Sequence, residues 1–142
     1  MTICEKKSLH CQFAAELGEL AAVRSFVKFS CDALEMHKET FINDVQLAVH
    51  EAFMNIILHG ANEDGTPIIV ECERQKEGLS LRLFDQGATH FAPKPTPLPP
   101  DESEKGRGLA IIFSLVDKVE FTQKSNMCEW NKLHLFKKYL PS

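Results

Sequence analysis

The fold of this 142-residue chain is decided by residues 42–60, which read INDVQLAVHEAFMNIILHG. Wound at 3.6 residues per turn, the stretch carries apolar side chains on nearly every side. This predicts a helix over residues 42–59 that is buried in the middle of the fold. The candidate N-caps are Thr40 and Asn43, and Gly60 is expected to end the helix.

Helices and antiparallel strands are predicted in alternating blocks around this central helix. Apolar residues at three- and four-residue intervals predict an amphipathic helix over residues 16–36, after a short edge strand over 9–14. The remaining predicted elements are strands over 68–72, 79–84, 118–123 and 130–137, and a third helix over 109–116. This order is typical of an α+β fold, a two-layer sandwich, in a single domain over residues 1–142.

Composition narrows the class of protein. Hydrophobic residues make up 44% of the chain and charged residues 25%, as in ordinary soluble domains. The net charge of -4 and the lack of a Lys/Arg-rich run argue against a nucleic-acid or membrane surface. Residues 1–12 show no signal-peptide core and no run is long enough to span a membrane, so a cytoplasmic location is expected. Five scattered cysteines without a CxxC pair predict unpaired thiols.

Three polar residues interrupt the apolar central helix. Glu51, Asn55 and His59 are spaced by four and therefore lie along one face. A buried carboxylate and carboxamide need partners, and a Mg²⁺ ion shared with substrate phosphates would provide them. The alternative is that this face is simply the solvated edge of the helix.

Two glycine-containing segments follow a strand and a loop. Asp85-Gln86-Gly87 comes directly after a strand, where the carboxylate can accept a hydrogen bond from an exocyclic amine such as that of adenine. Residues 88–105 hold five of the seven prolines and can form neither helix nor interior strand. A plain turn at Asp85 is the alternative.

The second segment, Gly106-Arg107-Gly108-Leu109, opens the third predicted helix. Backbone N–H groups at a helix N-terminus bind phosphate, and glycine removes side chains that would obstruct it. Arg107 adds a charged donor. An ordinary N-terminal turn is the alternative here.

Taken in order, the segments 47–60, 85–87 and 106–112 resemble the N-box and the two glycine boxes of the GHKL (Bergerat-fold) ATPases. The variant is that of the bacterial anti-sigma serine kinases, and the similarity runs from about residue 13 to 140. It implies a mixed, mostly antiparallel sheet covered by helices on one face. Two segments differ from the family pattern: Ala88-Thr89 replaces a frequent second glycine, and residues 129–133 (EWNKL) stand near the C-terminus, where a Gly-Thr pair is common.

The resemblance implies a role for each of these residues. Glu51 would be the general base for an attacking serine hydroxyl, and Asn55 would ligate a Mg²⁺ ion that bridges the ATP phosphates. Asp85 would hold the adenine amine, with Gly87 beneath the base and residues 88–105 as the lid. The other positions expected at the nucleotide are Gly106, Arg107 and Gly108 as phosphate contacts, Leu109 beside them, and His59 by proximity alone.

The resemblance also implies an activity. The chain is expected to be an ATP-dependent serine-protein kinase that phosphorylates an anti-sigma factor antagonist, binds a sigma factor and forms a homodimer. Two other functions stay open. One is a non-catalytic switch module that binds ATP or ADP to shape a surface for a partner, and the other is a nucleotide-free interaction domain.

Overall fold

A computed structural model of the protein describes residues 8–59, 65–87 and 107–140, apart from the side chain of Arg107. The strands are β1 (Ser8–Phe13), β2 (Ile68–Arg74), β3 (Gly78–Asp85), β4 (Lys118–Thr122) and β5 (Asn131–Lys138). The helices are α1 (Leu20–Ala33), α2 (Glu39–Leu58) and α3 (Arg107–Leu115), with a 3₁₀ turn at Leu17–Glu19. All the elements predicted from the sequence are present.

The strands form one five-stranded sheet in the order β1-β2-β3-β5-β4. Every pairing among the described strands is antiparallel. Alternate residues, such as Val70, Leu81 and Leu135, are fully buried on the face that the helices cover. The predicted α+β sandwich is confirmed, with β1 at one edge of the sheet as expected.

Helix α2 lies at the centre of the helical layer and packs against both α1 and α3. Val45, Val49 and Phe53 are completely buried along it. The Phe53 ring meets Phe13 of β1 edge to face, with ring centroids 6.1 Å apart. Burial of each such side chain contributes about 1.5–3 kcal/mol, so α2 is fixed by packing rather than by its ends.

The two predicted N-caps of α2 are wrong. The helix begins at Glu39, with Lys38 in the capping position and no side-chain hydrogen bond there. Thr40 therefore lies inside the first turn and Asn43 in the second. Phe41 and Ile42 are both buried, and their burial extends the helix towards its N-terminus past the residues that local preference favours.

Helix α1 is shorter than the predicted 16–36. It ends at Ala33, and Glu35 adopts a left-handed backbone conformation with φ of 61°. The N–H of Met36 donates to the carbonyl of Cys31 at 2.8 Å, which closes the helix end.

The four cysteines in the described residues are free, as predicted, while Cys4 lies outside those residues. Burial raises the pKa of both Cys31 and Cys72 to about 12, so their thiols stay protonated. No helix in the described part of the chain combines the length and apolarity that a membrane crossing needs.

Candidate functional site

The polar face of α2 meets the first turn of α3. Glu51 and Asn55 lie one turn apart and are both half-buried. Gly108 packs directly onto them: a Cβ at this glycine would lie 2.8 Å from Glu51 Oε1 and 3.2 Å from Asn55 Nδ2. The structure thus brings together the predicted base, the predicted metal ligand and one of the predicted phosphate contacts.

The amide of Asn55 is incompletely paired. Its Nδ2 is buried and is the one such side-chain atom without a hydrogen-bond partner in the described residues. An unpaired buried donor costs about 1–3 kcal/mol, so a site of this kind is stabilised when a ligand supplies an acceptor oxygen. A phosphate oxygen is such an acceptor.

The same residues fit a phosphate-bound Mg²⁺ ion. The Oδ1 atom of Asn55 is the type of hard oxygen ligand that Mg²⁺ prefers. No group of three or more His, Cys, Asp or Glu side chains in the described residues could hold a metal by itself. A cation at Asn55 would therefore take its other ligands from phosphates and water, as Mg²⁺ in phosphoryl-transfer sites commonly does.

A hydrogen-bonded network surrounds Asp85 at the end of β3. The side chain is buried, and its Oδ1 accepts the Gly87 N–H at 2.8 Å. Asn131, at the start of β5, donates from Nδ2 to the same Oδ1 at 3.0 Å and to the Gly87 carbonyl at 2.9 Å. These hydrogen bonds hold the Asp85 carboxylate in one orientation.

Asn131 was missed as a functional residue by sequence reasoning. Its position directly opposite Asp85 follows from the pairing of β3 with β5. A signal that could have found it is the departure of residues 129–133 from the Gly-Thr pair of the family pattern.

A cavity of about 500 Å³ opens beside this network. Its lining includes Gln86 and Lys124, and the Lys124 ammonium donates to the Gln86 carbonyl at 2.7 Å.

The remaining predicted site residues lie on or next to α2 and α3, or outside the described residues. Arg107 is the first residue of α3, and Leu109 is half-buried against the core. His59 follows the last residue of α2, is exposed, and donates its N–H to the Asn55 carbonyl at 3.0 Å. Gly106 and the predicted lid, residues 88–105, lie outside the described residues.

Comparison with known proteins identifies related domains. The family model of the histidine kinase-like ATPase domain matches residues 13–132. One similar solved structure contains the RsbU and RsbW domains of a Mycobacterium tuberculosis protein, with a TM-score of 0.66 and 15% identity. The match covers 92% of this chain and 31% of that one, and at this identity it concerns the fold. No curated protein matches the sequence.

Proposed function

The chain belongs to the family of histidine kinase-like ATPase domains, and on that premise we propose that it is an ATP-dependent serine-protein kinase. The proposed substrate is an anti-sigma factor antagonist, and a sigma factor is the proposed second partner. Both partners come from the resemblance of the three motifs to the anti-sigma serine kinases. The observation that carries the proposal is the packing of Gly108 onto Glu51 and Asn55.

In this proposal, ATP lies between α2 and α3 with its base at Asp85. The first N–H groups of α3 have no partners within the helix, and the N-terminal end of its dipole is positive. Both properties favour binding of the phosphates at Gly108, because this residue has no side chain that would exclude them. Asp85 accepts a hydrogen bond from the adenine amine, and Gly87 allows the base to approach the backbone.

Asn55 acts at the phosphates. Its Oδ1 would hold a Mg²⁺ ion, and that ion would supply neutralisation of charge on the triphosphate. Its buried Nδ2 gains an acceptor when a phosphate oxygen is present, so nucleotide binding removes the unpaired donor of the free protein.

Glu51 is the proposed general base. As the serine oxygen forms a bond to the γ-phosphorus, the hydroxyl proton moves to the Glu51 carboxylate. The bond from the γ-phosphorus to the bridging oxygen breaks, and ADP leaves with that electron pair. Most of the rate enhancement comes from positioning and charge neutralisation, since phosphoryl transfer needs little covalent help from a protein.

The test combines two measurements on the full chain. The first is titration with ATP in the presence and absence of Mg²⁺. The second is a single turnover with γ-labelled ATP and a purified antagonist-type protein, with a variant of that protein lacking the acceptor serine as the control. Label on the serine supports the kinase. Binding without transfer favours a non-catalytic switch, and no binding at millimolar ATP contradicts both.

A homodimer is also proposed, from the motif resemblance alone. Sedimentation equilibrium of the purified chain tests it: a single species at the monomer mass of 16.0 kDa across micromolar concentrations would contradict it.

A further inference from the structure

Both the nitrogen and the oxygen of the Asn131 side-chain amide are hydrogen-bonded. It is 3% exposed, and Nδ2 donates both to Asp85 Oδ1 and to the Gly87 carbonyl. Its Oδ1 accepts the backbone N–H of Lys124 at 2.8 Å. One side chain therefore links the end of β3, the turn that follows it, and the connection between β4 and β5.

The contacts restrict the Asp85 carboxylate. Within the described residues, both hydrogen bonds that Asp85 accepts end on Oδ1, one from the Gly87 N–H and one from Asn131. With Oδ1 engaged twice, Oδ2 is the oxygen that accepts no hydrogen bond within the described residues. The carboxylate cannot exchange its two oxygens without breaking both bonds.

We infer that Asn131 is a positioning residue for base recognition. It holds Asp85 so that Oδ2 is presented as an acceptor to the exocyclic amine of a purine, and it holds the Gly87 carbonyl so that the turn beneath the base keeps its shape. This assignment rests on the proposed function, because it requires an adenine nucleotide at Asp85.

The assignment predicts an effect on base preference and not only on affinity. Asn131→Asp keeps the size of the side chain but replaces the two N–H donors with an oxygen. That oxygen would face Asp85 Oδ1 and the Gly87 carbonyl, both acceptors, so the carboxylate would turn away from its present orientation. The ligands to compare are ATP and purine riboside triphosphate, which lacks only the exocyclic amine.

In the wild-type protein we expect ATP to bind about tenfold or more tightly than purine riboside triphosphate, the size of one charge-assisted hydrogen bond. In Asn131→Asp the ratio of the two affinities should fall towards one, mainly because ATP binds more weakly. Asn43→Asp is the matched control, because it makes the same chemical change at an exposed position of α2. It should keep the wild-type ratio.

Asn131→Thr keeps the test informative if Asn131→Asp does not fold. Its hydroxyl offers one donor where the amide offers two, so the ratio should lie between those of the wild type and Asn131→Asp. An equal loss of affinity for both ligands in a folded Asn131 variant would indicate a merely structural residue and would overturn the assignment alone. A wild-type protein that binds neither ligand would overturn the proposed function together with it.

Discussion

The substitution Gly108→Ala should lower the rate of phosphoryl transfer without a matching loss of folding stability. The Cβ of Gly108→Ala would lie 2.8 Å from Glu51 Oε1, and 3.2 and 3.4 Å from the amide nitrogen and oxygen of Asn55. Non-bonded heavy atoms are comfortable at about 3.5 Å or more. The Glu51 carboxylate must therefore move by about 0.7 Å or more, and the Asn55 amide by a few tenths of an ångström.

The size of the effect follows from this displacement. Reacting groups must be held within about 0.5 Å of their productive geometry, and a misplacement of about 1 Å can cost about 100-fold in rate. We expect kcat/KM of Gly108→Ala to fall by about 10- to 100-fold, which corresponds to about 1.4–2.7 kcal/mol of transition-state stabilisation. ATP affinity should fall less, since the backbone N–H of residue 108 is retained.

The free energy of unfolding of this variant should not fall together with its kcat/KM. Alanine is a better helix former than glycine by about 1 kcal/mol, and the clash falls on the free end of a glutamate side chain. Because the Asn55 amide must also shift, these effects oppose each other, and the free energy of unfolding of Gly108→Ala should stay close to that of the wild type. The assays are thermal unfolding, ATP titration and single-turnover phosphoryl transfer.

Gly18→Ala is the matched control, because a Cβ at this glycine meets nothing within 4 Å. It should leave both binding and turnover unchanged. Wild-type turnover in Gly108→Ala would refute the assigned geometry of Glu51 and Asn55. A large drop in its melting temperature would instead show that the glycine is required for packing.

Three further predictions concern Asn55, Glu51 and the buried cysteines. Asn55→Ala should abolish Mg²⁺-dependent ATP binding in a titration with and without the metal, and unchanged binding would contradict its role as ligand. Glu51→Ala should keep ATP binding and lose transfer of γ-label to protein, whereas a fully active variant would mean that the base is another group. Because burial raises the folded-state pKa of Cys31 and Cys72 from 9.0 to about 12, the free energy of unfolding should fall as pH rises from 9 towards 12. At pH 8, mass spectrometry should find alkylation at the exposed Cys128 and none at the two buried thiols; modification of all three in the folded protein would contradict the assigned burial.

The central helix and the strands could be predicted because their signals are local. The apolar pattern of residues 42–59 and the alternation in residues 79–84 each lie within one short segment, and the structure has α2 and β3 there. The start of α2 could not be predicted in the same way. It depends on the burial of Phe41 and Ile42 in the core, and that burial is a property of the whole fold.

The site was predictable to the extent that its residues form contiguous motifs. Glu51 and Asn55 share a helix face, and their meeting with Gly108 required only that α3 pack on α2. Asn131 was harder to predict, because it lies 46 positions from Asp85 in the sequence and their contact depends on the register of β3 with β5. β3 and β5 are not consecutive in the chain, so no hairpin turn fixes their register in the way that it does for neighbouring strands.

The most direct test of the account is a crystal structure of the chain with Mg²⁺ and a non-hydrolysable ATP analogue. We predict phosphates at the first turn of α3 beside Gly108, the cation within bonding distance of Asn55 Oδ1, and the exocyclic amine of the base on Asp85. A nucleotide bound elsewhere on the protein, or a gap between α2 and α3 filled by side chains, would contradict it.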